Sequence, residues 1–107
     1  MPMINIKFDD QKIKNDEIVT LANAIIKIVQ DATKISEVFA YADSPRIKIG
    51  VAPIEVFVEM SASKVSDREE LFRTIKDQLS KWKNLNNFMH PITITLTPID
   101  WRFEVGI

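Results

Sequence analysis

Apolar and polar residues alternate from Ile4 to Phe8, with Ile4, Ile6 and Phe8 on one face and Asn5 and Lys7 on the other. That period of two predicts a half-buried strand. A polar break, DDQKIKND, follows, and the period changes. Ile18, Leu21, Ala22, Ile25, Val29 and Ala32 recur at helical spacing, with Asn15 as N-cap and Asp16 and Glu17 in the positive first turn. EVFAYA reads as a second strand, and DSPRIKIG as a connection or an irregular hairpin. Pro53 opens a third strand, with Ile54, Val56, Val58 and Met60 facing one way and Glu55, Phe57 and Glu59 the other. SDREELFRTIKDQLSKW predicts the clearest helix. Ser66 and Glu69 have capping-box spacing, and Leu71, Phe72, Ile75, Leu79 and Trp82 form the apolar stripe. After KNLNNFMHP, Ile92, Ile94 and Leu96 alternate with Thr93, Thr95 and Thr97 in a last strand, followed by the tail PIDWRFEVGI.

The order β-α-β-β-α-β plus a tail predicts an α+β fold. Two β-α-β units form a four-stranded sheet with both helices on one face, and a short C-terminal strand or tail follows. PMINIKF and PIEVFVEM echo each other, each setting a proline before an alternating strand that leads into a helix. No low-complexity segment divides residues 1–107, which read as one domain. A ferredoxin-like split β-α-β has the same element order, so the pattern alone leaves two architectures open.

Composition narrows the chemistry. Lys and Arg number 14 against 15 for Asp and Glu, so no global field draws the chain to nucleic acid or to an anionic membrane. A local cationic pocket is still compatible with that balance. The absence of cysteine excludes disulfides, thiolate catalysis and zinc–thiolate sites. One histidine without cysteine partners argues against a metal site. Gly50 and Gly106 are the only glycines, so there is no glycine-rich phosphate loop. The N-terminus lacks the basic segment and apolar run of a secretory signal. The longest apolar stretch, IGVAPIEVFV, is too short to span a bilayer and is broken by Pro53 and Glu55. The expectation is a cytoplasmic protein with no cofactor, metal, nucleic acid or membrane partner.

Pro2 poses the sharpest question. As a strand starter it is unremarkable, since proline is tolerated at the first position of a strand. Freed by removal of Met1, it would carry a secondary amine, which no other residue supplies. With Met1 retained, its nitrogen is an amide without a basic lone pair.

Taken together, MPMINIKF, PIEVFVEMSASK, the helix from Ser66, and ITITLTPIDWRF resemble the tautomerase superfamily. The likeness runs thinly along nearly the whole chain, and the two-unit layout and length match the longer members. SASK resembles the serine-to-lysine turn after the third strand in the macrophage migration inhibitory factor branch, and PIDWRF the proline-acid-tryptophan tail of many tautomerase-like chains. The resemblance implies a sheet-and-two-helix protomer assembled as a homotrimer with sites at subunit boundaries. It also implies that the free Pro2 amine is a general base, moving a proton between carbon and oxygen of a small enol or keto acid. The chemistry is sound, because burial in an apolar pocket and nearby cations both disfavour the charged amine.

Such a base needs a cation for the substrate carboxylate. The 4-oxalocrotonate tautomerase group has an arginine soon after the first strand, whereas DDQKIKND offers only Lys12 and Lys14. Lys34 resembles the lysine before the second strand of the migration inhibitory factor branch and is the first candidate. Lys64, in the turn after the third strand, is the second, and Arg102 the third. Trp101 is a candidate pocket wall for an aromatic or extended substrate.

Simpler roles compete for each residue. Lys34 at a helix end can be a solvated charge favoured by the dipole, and Lys64 and Arg102 can be solvated turn charges. Trp101 can be a packing or subunit-contact residue, and His90 an ordinary loop histidine. Glu55 and Glu59 read as a wetted sheet face, around the axis of an oligomer. Two alternatives to a tautomerase or isomerase remain, and the missing arginine supports the first. One is a non-catalytic trimeric ligand-binding member of the same superfamily. The other is a ferredoxin-like regulatory or assembly domain.

Overall fold

The two proline-led alternating segments become the two central strands of one sheet. The computed structural model describes residues 2–107. Its elements are β1 (Met3–Phe8), α1 (Asn15–Thr33), β2 (Phe39–Asp43), β3 (Ile54–Ser61), a 3-10 turn (Ala62–Lys64), α2 (Arg68–Asn86) and β4 (Thr93–Ile99). Among the described residues no strand follows β4, and residues 100–107 form a tail.

The strand order is β2-β1-β3-β4. β1 pairs in parallel with β2 and antiparallel with β3, and β3 pairs in parallel with β4. Each β-α-β unit is therefore closed, its two strands direct neighbours. A split unit would hold another strand between them, so the ferredoxin-like alternative is excluded.

Ile4, Ile6, Ile54, Val56 and Val58 are fully buried against the helices, joined by Ile18, Leu21, Ile25 and Val29 of α1 and Ile75 and Leu79 of α2. Each such side chain contributes about 1.5–3 kcal/mol by leaving water. The alternation and the helical spacing meet in this one layer, and that fixes both strand register and helix rotation. Ile92, Ile94 and Leu96 pack at its edge. The opposite face carries Met3, Asn5, Lys7, Glu55, Phe57 and Glu59. There the Asn5 amide donates to Glu59 Oε1 at 3.2 Å and Lys7 Nζ lies 2.7 Å from Asp43 Oδ1.

Helix starts differ from expectation by a residue, and α2 runs on past Trp82 to Asn86. α1 begins at Asn15, and its N-cap is Lys14, whose amide donates to Glu17 Oε1 at 3.1 Å. α2 is capped by Asp67, not Ser66: its Oδ1 accepts from the Glu70 amide at 3.1 Å. Ser66-x-x-Glu69 and Asp67-x-x-Glu70 overlap in the sequence, and a charged acceptor suits the positive helix end better. No described helix is long and apolar enough to cross a membrane.

Candidate functional site

One end of the sheet collects most of the chain's candidate chemistry. β1 and β2 start there, and the antiparallel β3 and its parallel partner β4 end there. α1 delivers its last turn to the same end on the way to β2, and α2 sets out from it after β3. Pro2, Lys34, Lys64, Trp101 and Arg102 each sit at one of these termini. Their gathering follows from topology and not from nearness in sequence.

Pro2 is fully buried. By the alternation of the pleat it shares the helix side with Ile4, while Met3 faces the other way, in register with Phe39 on one side and Glu59 on the other. Met1, whose removal the amine would require, lies outside the described residues.

Lys34 ends α1 in the left-handed conformation, φ 61°, its amide donating to the Gln30 carbonyl at 2.9 Å. Its side chain is exposed. The preceding Ala32 and Thr33 line a cleft of about 290 Å³, closed on its other side by Lys64, Val65, Asp67 and Glu70. Lys64 is thus a wall residue, and Lys34 stands one position from the wall. The 3-10 turn that carries Lys64 is fastened by the Val65 amide to the Ala62 carbonyl at 3.2 Å, with Ser61 and Ser63 hydroxyls 2.9 Å apart. Lys64 shares this cleft with two carboxylates, so its field on an acidic guest is reduced.

Trp101 and Arg102 line a different cleft. Together with Met3, Phe39 and Phe103 they enclose about 180 Å³ on the helix-free side. Trp101 packs edge-on against Phe103, ring centroids 6.4 Å apart, and its Nε1 is buried with no acceptor among the described residues. Arg102 reaches Asp100 at 3.5 Å, a solvent-exposed pair of little energetic weight. The structure therefore brings the five residues to one end but not into one site: Lys64 lines one cleft, Trp101 and Arg102 line the other, and Pro2 and Lys34 line neither.

Met3, Phe39 and Phe103 have no signal in a linear reading as wall residues, because their meeting depends on the β1–β2 register. His90 is more than a loop histidine. Its Nε2 is 2.7 Å from Glu17 Oε2, and its ring packs edge-on to Phe88. Among the described residues no three His, Asp or Glu side chains gather to hold a metal ion. Both carboxyls held below their ordinary range lie away from this end. Asp10 is lowered chiefly by its hydrogen bond to Lys48. Glu17 is lowered first by the Lys14 amide and then by His90.

No family profile matches the chain, and no curated protein does. Solved structures do. A wild-type fused 4-OT, a symmetric trimer, gives a TM-score of 0.70 at 15% identity, covering 98% of this chain and 94% of that one. A macrophage migration inhibitory factor-like protein from Entamoeba histolytica gives 0.65 at 15% identity, with 96% and 95% covered. A malonate semialdehyde decarboxylase gives 0.66 at 12%, with 98% and 92% covered. The chain has the tautomerase-superfamily fold.

Proposed function

We propose that the protein is a cofactor-independent tautomerase or isomerase of small enol and keto acids, working as a homotrimer, with the free amine of Pro2 as general base. One observation carries this reading: Pro2 is fully buried at the sheet end that also carries Lys34, the Lys64 cleft and the Trp101 cleft. A free amine at such a position favours its neutral form, since desolvation penalises the ammonium and neighbouring cations add to the penalty. A neutral amine accepts a proton from one substrate atom and returns it to another. Lys34, Lys64 and Arg102 supply the cation that holds the substrate carboxylate, and Trp101 walls the site. The trimer of the fused 4-OT with the same fold supports the assembly.

A second reading, a ligand-binding protein of the same fold without turnover, draws on the cleft charge. Asp67 and Glu70 stand beside Lys64, so an acidic substrate approaching that side meets two like charges.

Intact mass on protein with a native N-terminus comes first, to establish that Met1 is gone. Phenylenolpyruvate is then expected to ketonise faster with protein than without, its rate rising through the pKa of the amine. Pro2→Ala, with its primary amine, should keep a reduced rate, and protein retaining Met1 should have none. Inactivity of protein with verified free Pro2 across a panel of enol acids would favour the binding reading. Equal activity with Met1 attached would remove Pro2 as the base.

A further inference from the structure

Another cleft lies at the opposite end of the sheet, roughly 20 Å from Pro2 by the rise along β1. Its volume is about 380 Å³, and Asp9, Lys12, Arg46, Lys48 and Gly50 are in its wall. The segment 44–53 on one side has no regular secondary structure, yet it is fastened in place. Lys48 is the fastener. Its side chain is only 16% exposed, and its ammonium donates to Asp10 Oδ1 at 3.2 Å, Ser44 Oγ at 3.0 Å and the Pro45 carbonyl at 2.8 Å. Three acceptors satisfy the three N–H groups of a lysine, so Lys48 is saturated and Asp10 offsets its charge. Asp9 Oδ1 is engaged as well, accepting the Gln11 amide at 3.0 Å.

Lys12 and Arg46 are different. Both are exposed, and among the described residues neither has a carboxylate within ion-pair distance. Neither belongs to the core. Two segments, one following β1 and one following β2, thus present like charges to one open space, and one of those segments is pinned by the half-buried Lys48. An oxyanion between them would turn repulsion into two attractions. The guanidinium offers a flat pair of donors and the ammonium a compact charge, a combination suited to a phosphate. Asp9 in the wall weakens the field of the pair, and a phosphate dianion, with twice the charge of a carboxylate, is drawn in more strongly by what remains. We infer that this cleft binds the phosphate group of a small soluble molecule through Arg46 and Lys12, independently of the chemistry proposed for Pro2.

Inorganic phosphate titrated into ¹⁵N-labelled protein tests this. Saturable shifts are expected for the amides of residues 9–12 and 46–51, with those around Lys34 and Lys64 unmoved. Arg46→Gln and Lys12→Gln, at exposed positions, should each weaken binding by about tenfold while the melting temperature holds. Arg46→Lys should lose part of it, and Lys64→Gln none. Three results would overturn the inference: no saturable shift at millimolar phosphate, equal shifts in the Arg46 and Lys12 variants, or a changed assembly mass in Arg46→Gln. The last would mean that a carboxylate of a second copy occupies the cleft.

Discussion

His90 Nε2 lies 2.7 Å from Glu17 Oε2, tying the turn before β4 to the first turn of α1. The pair is braced from both sides. Glu17 Oε1 accepts the Lys14 amide at 3.1 Å, and Lys83 Nζ donates to the His90 carbonyl at 2.7 Å. The start of α1 and the end of α2, which lie at the same end of the helix layer, are thereby joined through Glu17 and His90.

That carboxylate should write itself into the pH dependence of stability. Glu17 is held below its ordinary 4.5, by the Lys14 amide first and His90 second. A carboxyl lowered in the folded state adds stability above its unfolded pKa and loses it as pH falls through the folded value. Glu17→Gln should therefore melt below the parent at neutral pH, and the gap should close as pH drops below 4.5. Melting curves across the acid range check this. A gap that stays constant would mean that neutral hydrogen bonding, not charge, is what Glu17 supplies.

Lys34 occupies a left-handed helix end, φ 61°, where glycine is the usual residue. The side chain costs about 1 kcal/mol there, partly offset by the greater unfolded-state freedom of a glycine. Lys34→Gly should raise stability by roughly 0.5 kcal/mol. If the ammonium binds a substrate carboxylate, the same variant should raise KM for acids and leave esters nearly unchanged. Denaturant unfolding and kinetics on one protein separate the two effects. A variant more stable and equally active would leave Lys34 outside the site.

The charge of the cleft beside Lys64 can be tuned from its acidic side. Asp67→Asn keeps a good N-cap while removing one of the two carboxylates that share the wall with Lys64. KM for an acidic substrate should fall by roughly twofold to fivefold, and Lys64→Ala should raise it. If neither moves, the substrate does not enter by this cleft.

Much of the fold was legible because periods of two and of 3.6 residues report which side of a chain is buried. Ile4, Ile6, Val56 and Val58 were readable for that reason, as were Ile75 and Leu79. The last turn of α2 was not, because Leu85 is 84% exposed and breaks the stripe; what stops the helix is Asn87 at φ 52°. β4 ran on through Pro98, which an edge strand tolerates where its missing N–H would face solvent. That Lys34, Lys64 and Trp101 belong to the same end of the sheet follows from strand order and not from sequence spacing. The two separate clefts were not visible at all, since Met3 meets Phe39 only once strand register is set.

The tail offers a test of assembly. Trp101 Nε1 is buried without an acceptor among the described residues, while Phe103 and Val105 beyond it are 58% and 78% exposed. An unsatisfied buried donor costs about 1–3 kcal/mol, so in an isolated protomer Trp101→Phe should be neutral or stabilising. If the proposed homotrimer covers the tail with a neighbour, an acceptor there would satisfy the indole. The same substitution should then weaken assembly while leaving the protomer folded. Sedimentation across a dilution series, with melting curves on the diluted protomer, distinguishes these outcomes. Dissociation at clearly higher concentration in Trp101→Phe is the expected result. Identical dissociation would place the indole's acceptor elsewhere, and a monomeric parent protein at micromolar concentration would remove the homotrimer itself.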